Sequence, residues 1–171
     1  IDPFIDRAVR EENGAKVLSY GLSSYGYDAR VAPEFRIFTN VNNTLLDPLN
    51  FDTRSYVDVV DDHCVIPPNS FVLTRTVEKF RIPKDVLAQV FTKSTMARVG
   101  VHTLCTPLES GWIGYVTLEF ANTTNLPVIL RANQGGVQIV FHKGEAPCIT
   151  SYADKGGKYQ NQPASITNPI G

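Results

Sequence analysis

The sequence lacks an apolar run near the roughly 18 residues that a membrane-spanning helix needs, so no such helix is expected. It also lacks a strong charge imbalance, because the formal net charge is −1 and charged residues make up 19% of the chain. A nucleic-acid or membrane partner is therefore not expected. The three cysteines, at positions 64, 105 and 148, are odd in number and widely spaced, which favours a reduced, cytoplasmic chain.

Several catalytic signatures are absent as well. Zinc nucleobase deaminases carry His-x-Glu followed by Pro-Cys-x-x-Cys. None of the three histidines begins a His-x-Glu, and Pro147-Cys148 is followed by no second cysteine at that spacing. A Gly-x-Ser-x-Gly elbow, a P-loop and a dinucleotide-binding fingerprint are also missing. Any deamination by this chain would therefore proceed without catalytic zinc.

The chain does contain many short alternating runs rich in β-branched and aromatic residues. Turn formers such as Pro67-Pro68-Asn69 and Asn133-Gln-Gly-Gly136 separate them. This pattern predicts a single all-β domain over residues 1–171, built as a sandwich, jelly roll or barrel with minor helices. The predicted strands are 56–60, 71–77, 86–91, 115–120, 127–130 and 137–141.

Two short helices and a lid are predicted outside these strands. One helix covers 94–99, with Ser94 as its N-cap and with Met96 and Val99 on one face. The other lies around 7–12. The polar, glycine-rich segment 152–171 is typical of a mobile C-terminal lid, although a frayed terminus has the same composition.

Residues 93–98 form a candidate anion site. A helix that begins after a strand offers free N–H groups, and here Lys93, Ser94 and Thr95 add a cation and two hydroxyls. Arg98 lies one helical turn beyond Ser94 and is able to bind an anion or orient a carboxylate. An ordinary capped helix with solvated cations remains the alternative at this point.

Glu119 is the candidate general base. Strand alternation places Tyr115, Thr117 and Glu119 on one face and apolar residues on the other. A carboxylate held in a cleft has the chemistry of a general base, whereas a carboxylate on an exposed strand does not. Glu109 is a second carboxylate in a turn. In the tail, Lys158, Tyr159 and Gln162 supply a cation, an aromatic ring and an amide that suit a nucleotide triphosphate.

Six dispersed segments together resemble the bacterial dCTP deaminases of the trimeric dUTPase superfamily. They are 23–30 (SSYGYDAR), 67–71 (PPNSF), 93–98 (KSTMAR), 106–109 (TPLE), 116–120 (VTLEF) and 156–162 (GGKYQNQ). The resemblance implies a dUTPase-like distorted β-barrel or jelly-roll subunit, and a homotrimer with active sites at its subunit interfaces. It also implies zinc-independent hydrolysis of dCTP to dUTP and ammonia, with Mg²⁺ on the triphosphate and dTTP as a candidate inhibitor.

The resemblance also assigns roles to individual residues. Glu119 takes the position of the family's general base. Ser94 and Arg98 take positions that order the reacting water and the phosphate and support the glutamate, and Lys93 and Thr95 flank them as phosphate contacts. The other substrate-binding positions that it implies are Gln138, Tyr152, Lys158 and Gln162.

The chain departs from the family pattern at Thr92, where glycine is usual, and in the 101–106 stretch. Other functions therefore remain open. One is a bifunctional enzyme or a plain dUTPase, since Glu109 lies where dUTPases carry an aspartate that activates water against the α-phosphate. Another is a nucleotide-binding regulator without turnover. Pyrophosphate among the products would identify the dUTPase-type activity.

Overall fold

The computed structural model describes residues 1–170 and confirms the all-β prediction. The strands are β1 (Ala8–Glu12), β2 (Ala15–Leu22), β3 (Gly26–Arg30), β4 (Glu34–Phe38), β5 (Tyr56–Val60), β6 (His63–Ile66), β7 (Phe71–Arg81), β8 (Val86–Thr92), β9 (Val101–Thr103), β10 (Ile113–Asn122), β11 (Val128–Arg131) and β12 (Gly135–Lys143). One short helix, α1 (Ser94–Ala97), and a 3₁₀ turn (Thr53–Ser55) complete the elements. No helix within residues 1–170 has the length and apolar character needed to cross a bilayer.

The strands form two five-stranded antiparallel sheets and one small pair. The first sheet has the order β1-β2-β3-β12-β8, and the second has the order β5-β4-β7-β10-β9. The small pair is β11-β6. Because α1 lies between β8 and β9 along the chain, it connects an edge strand of the first sheet to an edge strand of the second.

One apolar core takes side chains from both large sheets. Tyr27 and Ile139 come from the first sheet, and Val72, Leu118 and Phe120 come from the second; all five are fully or almost fully buried. In β10 every second residue is buried, which confirms the predicted alternation over 115–120. The opposite face of β10, which carries Glu119, therefore points away from this core.

The predicted helix around 7–12 is wrong, because these residues form β1. Strands β1 and β2 pair as a hairpin in which Glu12 lies opposite Ala15. The two residues between them, Asn13 and Gly14, have φ values of 49° and 76°. Asn-Gly with two positive φ angles is the preferred two-residue connection of a β-hairpin, so the turn fixes strand geometry on both sides.

The second predicted helix is shorter than expected and has a different cap. Helix α1 ends at Ala97, and its N-cap position is Lys93, which makes no side-chain capping bond. Met96 is buried as predicted, whereas Val99 is 49% exposed. The turn stops at Gly100, whose φ of 74° directs the chain out of the helix and into β9.

Candidate functional site

A cavity of about 650 Å³ opens beside β10 and includes Glu119 in its wall. Strand β10 also contributes Thr117, and the loop before β10 contributes Cys105 and Glu109. The C-terminal segment supplies much of the remaining wall. The sequence leaves open whether this face of β10 meets solvent or lines a cleft. Because Glu119 lies in a cavity wall, the face lines a cleft. We call this site the Glu119 cavity.

The Glu119 carboxylate is half-buried and has one thiol neighbour. Its Oε2 atom accepts a hydrogen bond from the Cys105 Sγ atom at 3.0 Å. Burial raises the pKa of Glu119 above its ordinary value, and the bond from Cys105 opposes that rise. A carboxylate with a raised pKa accepts a proton more readily than an exposed one, as a general base requires.

Glu109 lines the same cavity but has a different environment. Its carboxylate forms an ion pair with Lys155 at 2.7 Å, and both side chains are about half exposed. The Lys155 ammonium group therefore occupies one side of the Glu109 carboxylate, whereas no cation is paired with Glu119 among residues 1–170. The two cavity carboxylates therefore differ in environment, and Glu119 is the better candidate for proton abstraction.

The tail residues predicted to cover a nucleotide lie at the Glu119 cavity. Tyr152, Lys158 and Gln162 all line it. The Trp112 Nε1–H donates to the Tyr159 carbonyl at 2.8 Å, which fixes the middle of the tail to the start of β10. In this structure the tail is folded against the body of the protein, and its mobility stays a prediction.

The tail reaches β10 through its main chain. The Tyr115 N–H donates to the Gln162 carbonyl at 3.2 Å, and the Asn161 N–H donates to the Ile113 carbonyl at 2.8 Å. Gly114 lies between these bonds with a φ of 155°, and a Cβ built there would lie 2.8 Å from the Gln162 nitrogen. Glycine is therefore needed at this position because two backbones approach each other closely.

The predicted anion-site residues lie elsewhere, around α1. Ser94, Thr95 and Arg98 are exposed, and none of them lines the Glu119 cavity. The Ser94 hydroxyl does not cap the helix, and it makes no hydrogen bond within residues 1–170. We call Lys93, Ser94, Thr95, Arg98 and Gln138 the α1 face.

Lys93 differs from its predicted environment. It is 8% exposed, and its Nζ atom forms an ion pair and a hydrogen bond with Asp28. The sequence indicates a phosphate contact or a solvated cation, whereas in the structure the Lys93 charge is paired within the chain. Asp28 lies on β3 directly opposite Gln138 of β12, so Gln138 belongs to the same part of the surface.

Sequence reasoning missed two contacts, one made by Thr92 and one made by Cys105. The Thr92 hydroxyl accepts a hydrogen bond from the Thr103 N–H at 2.8 Å, so it links β8 to β9. Thr92 lies in extended backbone, where a Cβ is accommodated without strain. Cys105 was missed because no local pattern predicts its contact with Glu119. The only signal was its place in the 101–106 stretch that departs from the family pattern.

No metal-binding cluster coincides with the cavity among residues 1–170. The one group of three suitable ligands in that range is Asp61, Asp62 and His63, and these residues do not line the Glu119 cavity. They lie in the turn between β5 and β6 and at its end, with both aspartates exposed. Exposed acidic groups of this kind are common in proteins that bind no metal there.

Comparison with known proteins gives consistent results. The sequence model of the dCTP deaminase-like family matches residues 2–144. The dCTP deaminase of Ectopseudomonas mendocina (strain ymp) is 55% identical over 169 residues, which cover 99% of this chain and 89% of that protein. The dCTP deaminase of Janthinobacterium sp. (strain Marseille) is 56% identical over 162 residues, which cover 95% and 86%.

A solved structure gives a likeness in fold. The 2'-deoxycytidine 5'-triphosphate deaminase from Agrobacterium tumefaciens superposes with a TM-score of 0.58 and 18% sequence identity. The match covers 73% of this chain and 40% of that chain, so this chain spans less than half of the solved protein's length. At this identity the likeness supports the fold alone.

Proposed function

The chain belongs to the dCTP deaminase-like family, and from that premise we infer that it is an enzyme that deaminates dCTP. The reaction consumes one water and converts dCTP to dUTP and ammonia. The observation that carries this inference to a particular side chain is the half-buried Glu119 carboxylate in the wall of a cavity of about 650 Å³. A cleft of this size suits a small organic ligand.

In the proposed mechanism Glu119 is the general base. It takes a proton from water while the water oxygen attacks C4 of the cytosine ring. The proton then goes to N3, and a second proton transfer to the amino group lets ammonia leave as the C4 carbonyl forms. The raised pKa of Glu119 supports this role, because the carboxyl group must both accept and return a proton during one turnover.

The complete site is proposed to form between two copies of the chain in a homotrimer. Within one chain, Glu119 lines the cavity whereas Ser94 and Arg98 lie outside its wall. Both α1-face side chains are exposed, so they are available to a neighbouring copy. We propose that each active site takes Glu119 from one subunit and Ser94 with Arg98 from the next.

The triphosphate is proposed to lie between the tail and the α1 face. Lys158 lines the cavity from the tail, and Arg98 supplies a guanidinium group suited to bidentate contact with phosphate. Mg²⁺ would be held by phosphate oxygens and water, its usual ligands with nucleotides. Glu109 is a poor direct ligand for that ion because it is paired with Lys155. Lys93 is the weaker candidate for a phosphate contact, because its ammonium group is paired with Asp28 within the chain. Inhibition by dTTP remains part of the proposal.

The three free cysteines support a reduced, cytoplasmic location. They are Cys64, Cys105 and Cys148, and the first is buried in the core. A structure that depends on no disulfide among residues 1–170 is compatible with a reducing compartment.

The direct test is product analysis with dCTP and dUTP in separate reactions containing Mg²⁺. We expect ammonia and dUTP from dCTP, and we expect Glu119→Gln to lower kcat by about 10²- to 10⁴-fold, the range of a lost general base. Glu109→Gln is the matched control, because it removes a second carboxylate from the same cavity. Its effect on ammonia release should be less than about tenfold.

Two results would overturn this assignment. Ammonia release that survives Glu119→Gln would exclude Glu119 as the base. Pyrophosphate release that depends on Glu109 would favour a dUTPase-type or bifunctional enzyme instead. The ion pair between Glu109 and Lys155 and the dCTP deaminase relatives do not favour that alternative.

A further inference from the structure

We propose that Cys105 is a positioning residue, whose S–H group holds the Glu119 carboxylate in place and favours its charged form. This inference rests on the proposed function, because it deepens the role of Glu119 as general base. In the proposed mechanism Cys105 itself exchanges no proton with the water or with the substrate. It acts through Glu119 and sets the pH range in which Glu119 is an effective base.

The geometry supports a directed thiol hydrogen bond. The Cys105 Sγ atom lies 3.0 Å from Glu119 Oε2 and 3.6 Å from the Thr117 carbonyl oxygen. A thiol has one proton, so the two acceptors compete for it. The carboxylate is both nearer and charged, and charged acceptors form the stronger bonds. The proton is therefore directed at Glu119.

The main chain holds the sulfur in this position. Strand β9 pairs with β10, with Thr103 opposite Phe120. The Leu104 N–H then donates to the Glu119 carbonyl at 2.9 Å. The residue before Cys105 is thus attached to the same residue that the Cys105 side chain contacts, and this attachment limits the freedom of the thiol.

The other ionisable groups around the cavity do not replace this contact. Tyr56, Glu109, Tyr152, Lys158 and Tyr159 line the cavity with Glu119. Among residues 1–170, none of them makes a hydrogen bond to the Glu119 carboxylate. The charge of Glu119 contributes to a raised pKa of Tyr56, although burial is the larger cause.

The Cys105 side chain is suited to donate rather than to react. Burial, followed by the nearby Glu119 charge, raises the pKa of the Cys105 thiol well above its ordinary value. The thiol therefore stays protonated at neutral pH, whereas nucleophilic cysteines are thiolates. A protonated donor beside a half-buried carboxylate offsets part of the cost of burying the charge.

Cys105→Val is the informative variant, because valine has a similar volume but no donor. We expect the acid limb of the kcat–pH profile to move to higher pH by about one unit, the scale of one weak bond to a charged group. At a pH below that limb kcat should fall by about tenfold, while KM for dCTP changes less than about twofold. Cys105→Ser restores a donor and should return the acid limb toward its wild-type position.

Cys148→Ala is the matched control, since it removes a thiol that does not line the cavity. Its pH profile should equal that of the wild type. One outcome is that Glu119→Gln inactivates the enzyme while Cys105→Val leaves the acid limb of the profile unshifted. This outcome would overturn the role of Cys105 and leave the proposed function intact. Full activity of Glu119→Gln would instead overturn the assignment of Glu119 as the general base, on which the role of Cys105 rests.

A second measurement does not depend on activity or on the folding of the valine variant. The infrared S–H stretch of Cys105, identified by its absence in Cys105→Ala, should lie at lower frequency than that of a thiol without a charged acceptor. It should move to higher frequency in Glu119→Gln, where the acceptor is neutral. A Cys105 band that is the same in wild type and Glu119→Gln would overturn the proposal.

Discussion

The proposed catalytic groups of the Glu119 cavity and of the α1 face differ in how far they are buried. Glu119 lies on the ten-residue strand β10, is half-buried, and is contacted by Cys105. Ser94 and Arg98 are exposed, and they lie in and immediately after the four-residue helix α1. The scaffold of one chain therefore fixes the proposed proton-transfer group, whereas the proposed water- and phosphate-ordering groups depend on a second surface or on the substrate for their positions.

A subunit-mixing experiment tests whether these two regions belong to one site across two chains. We expect Glu119→Gln and Arg98→Ala to be inactive when each is expressed alone. Co-expressed with different tags and purified as mixed assemblies, they should regain activity. In a trimer that contains both chains, about one third of the sites would combine an intact Glu119 with an intact Arg98 from the neighbour.

The same experiment also separates the two arrangements of the site. If Glu119 and Arg98 of the same chain served one site, every site would contain one of the two substitutions. The mixed assemblies would then stay inactive. That result would show that the Glu119 cavity and the α1 face of the same chain form one site, which is not divided between subunits. Size-exclusion chromatography of each variant confirms that assembly itself is unchanged.

Replacing Lys93 tests whether the α1 face contains a structural cation. Lys93→Met keeps the length of the apolar stem but leaves Asp28 unpaired in a partly buried place. We expect the free energy of unfolding to fall by about 3 kcal/mol, the lower end of the range for breaking a buried ion pair. Denaturant unfolding measures this change, and KM for dCTP in the folded variant should change little.

Lys84→Met is the control for that substitution. Lys84 pairs with Asp154 at 3.0 Å, but both side chains are about half exposed. Its loss should lower the free energy of unfolding much less than the loss of Lys93, because solvent screens an exposed pair. If Lys93→Met instead kept wild-type stability and raised KM strongly, Lys93 would be a substrate contact, as the sequence indicates.

A smaller effect concerns the stability of the Glu119 cavity. Burial raises the pKa of Glu119, so the folded protein favours the protonated carboxyl group. Its contribution to stability is fully present below the unfolded-state pKa and is lost as the pH rises through the folded-state pKa. Glutamine carries no charge, so Glu119→Gln should raise Tm at pH 8 by about 2 °C.

Near pH 4 the Tm difference between wild type and Glu119→Gln should disappear, because the wild-type carboxyl group is then largely protonated. Thermal unfolding followed by circular dichroism at both pH values measures this trend. Equal Tm values at pH 8 would show that Glu119 is solvated well enough to carry its charge without cost. The contrast with the exposed Ser94 and Arg98 side chains would then be smaller than the structure indicates.

The sequence predicted features that depend on local periodicity. The strand predicted over 56–60 is β5, and the alternation over 115–120 placed Glu119 on the face opposite the core. Asn13-Gly14 is a typical hairpin turn, but it did not enter the prediction. The residues of β1 were therefore predicted to form a helix. Local patterns therefore gave much of the strand content and the orientation of the candidate base.

The contacts that distinguish the two regions are not local. Lys93 and Asp28 are 65 positions apart, and Cys105 and Glu119 are 14 positions apart across the β9–β10 pairing. Each contact depends on strand order and register, which no single segment encodes. The family resemblance named Lys93 as a phosphate contact because it compares residue types and not the partners those residues meet in this chain.

The close approach of Gly114 to Gln162 has a consequence for sequence variation. The tail meets β10 at this point through main-chain atoms, which every residue type other than proline supplies in full. Substitutions at position 162 can therefore preserve this attachment, while any side chain at position 114 would push the two backbones apart. Mutational tolerance therefore differs between the two sides of this contact. The tail tolerates other side chains at position 162, whereas position 114 must stay glycine for the segment around Lys158 to reach the cavity.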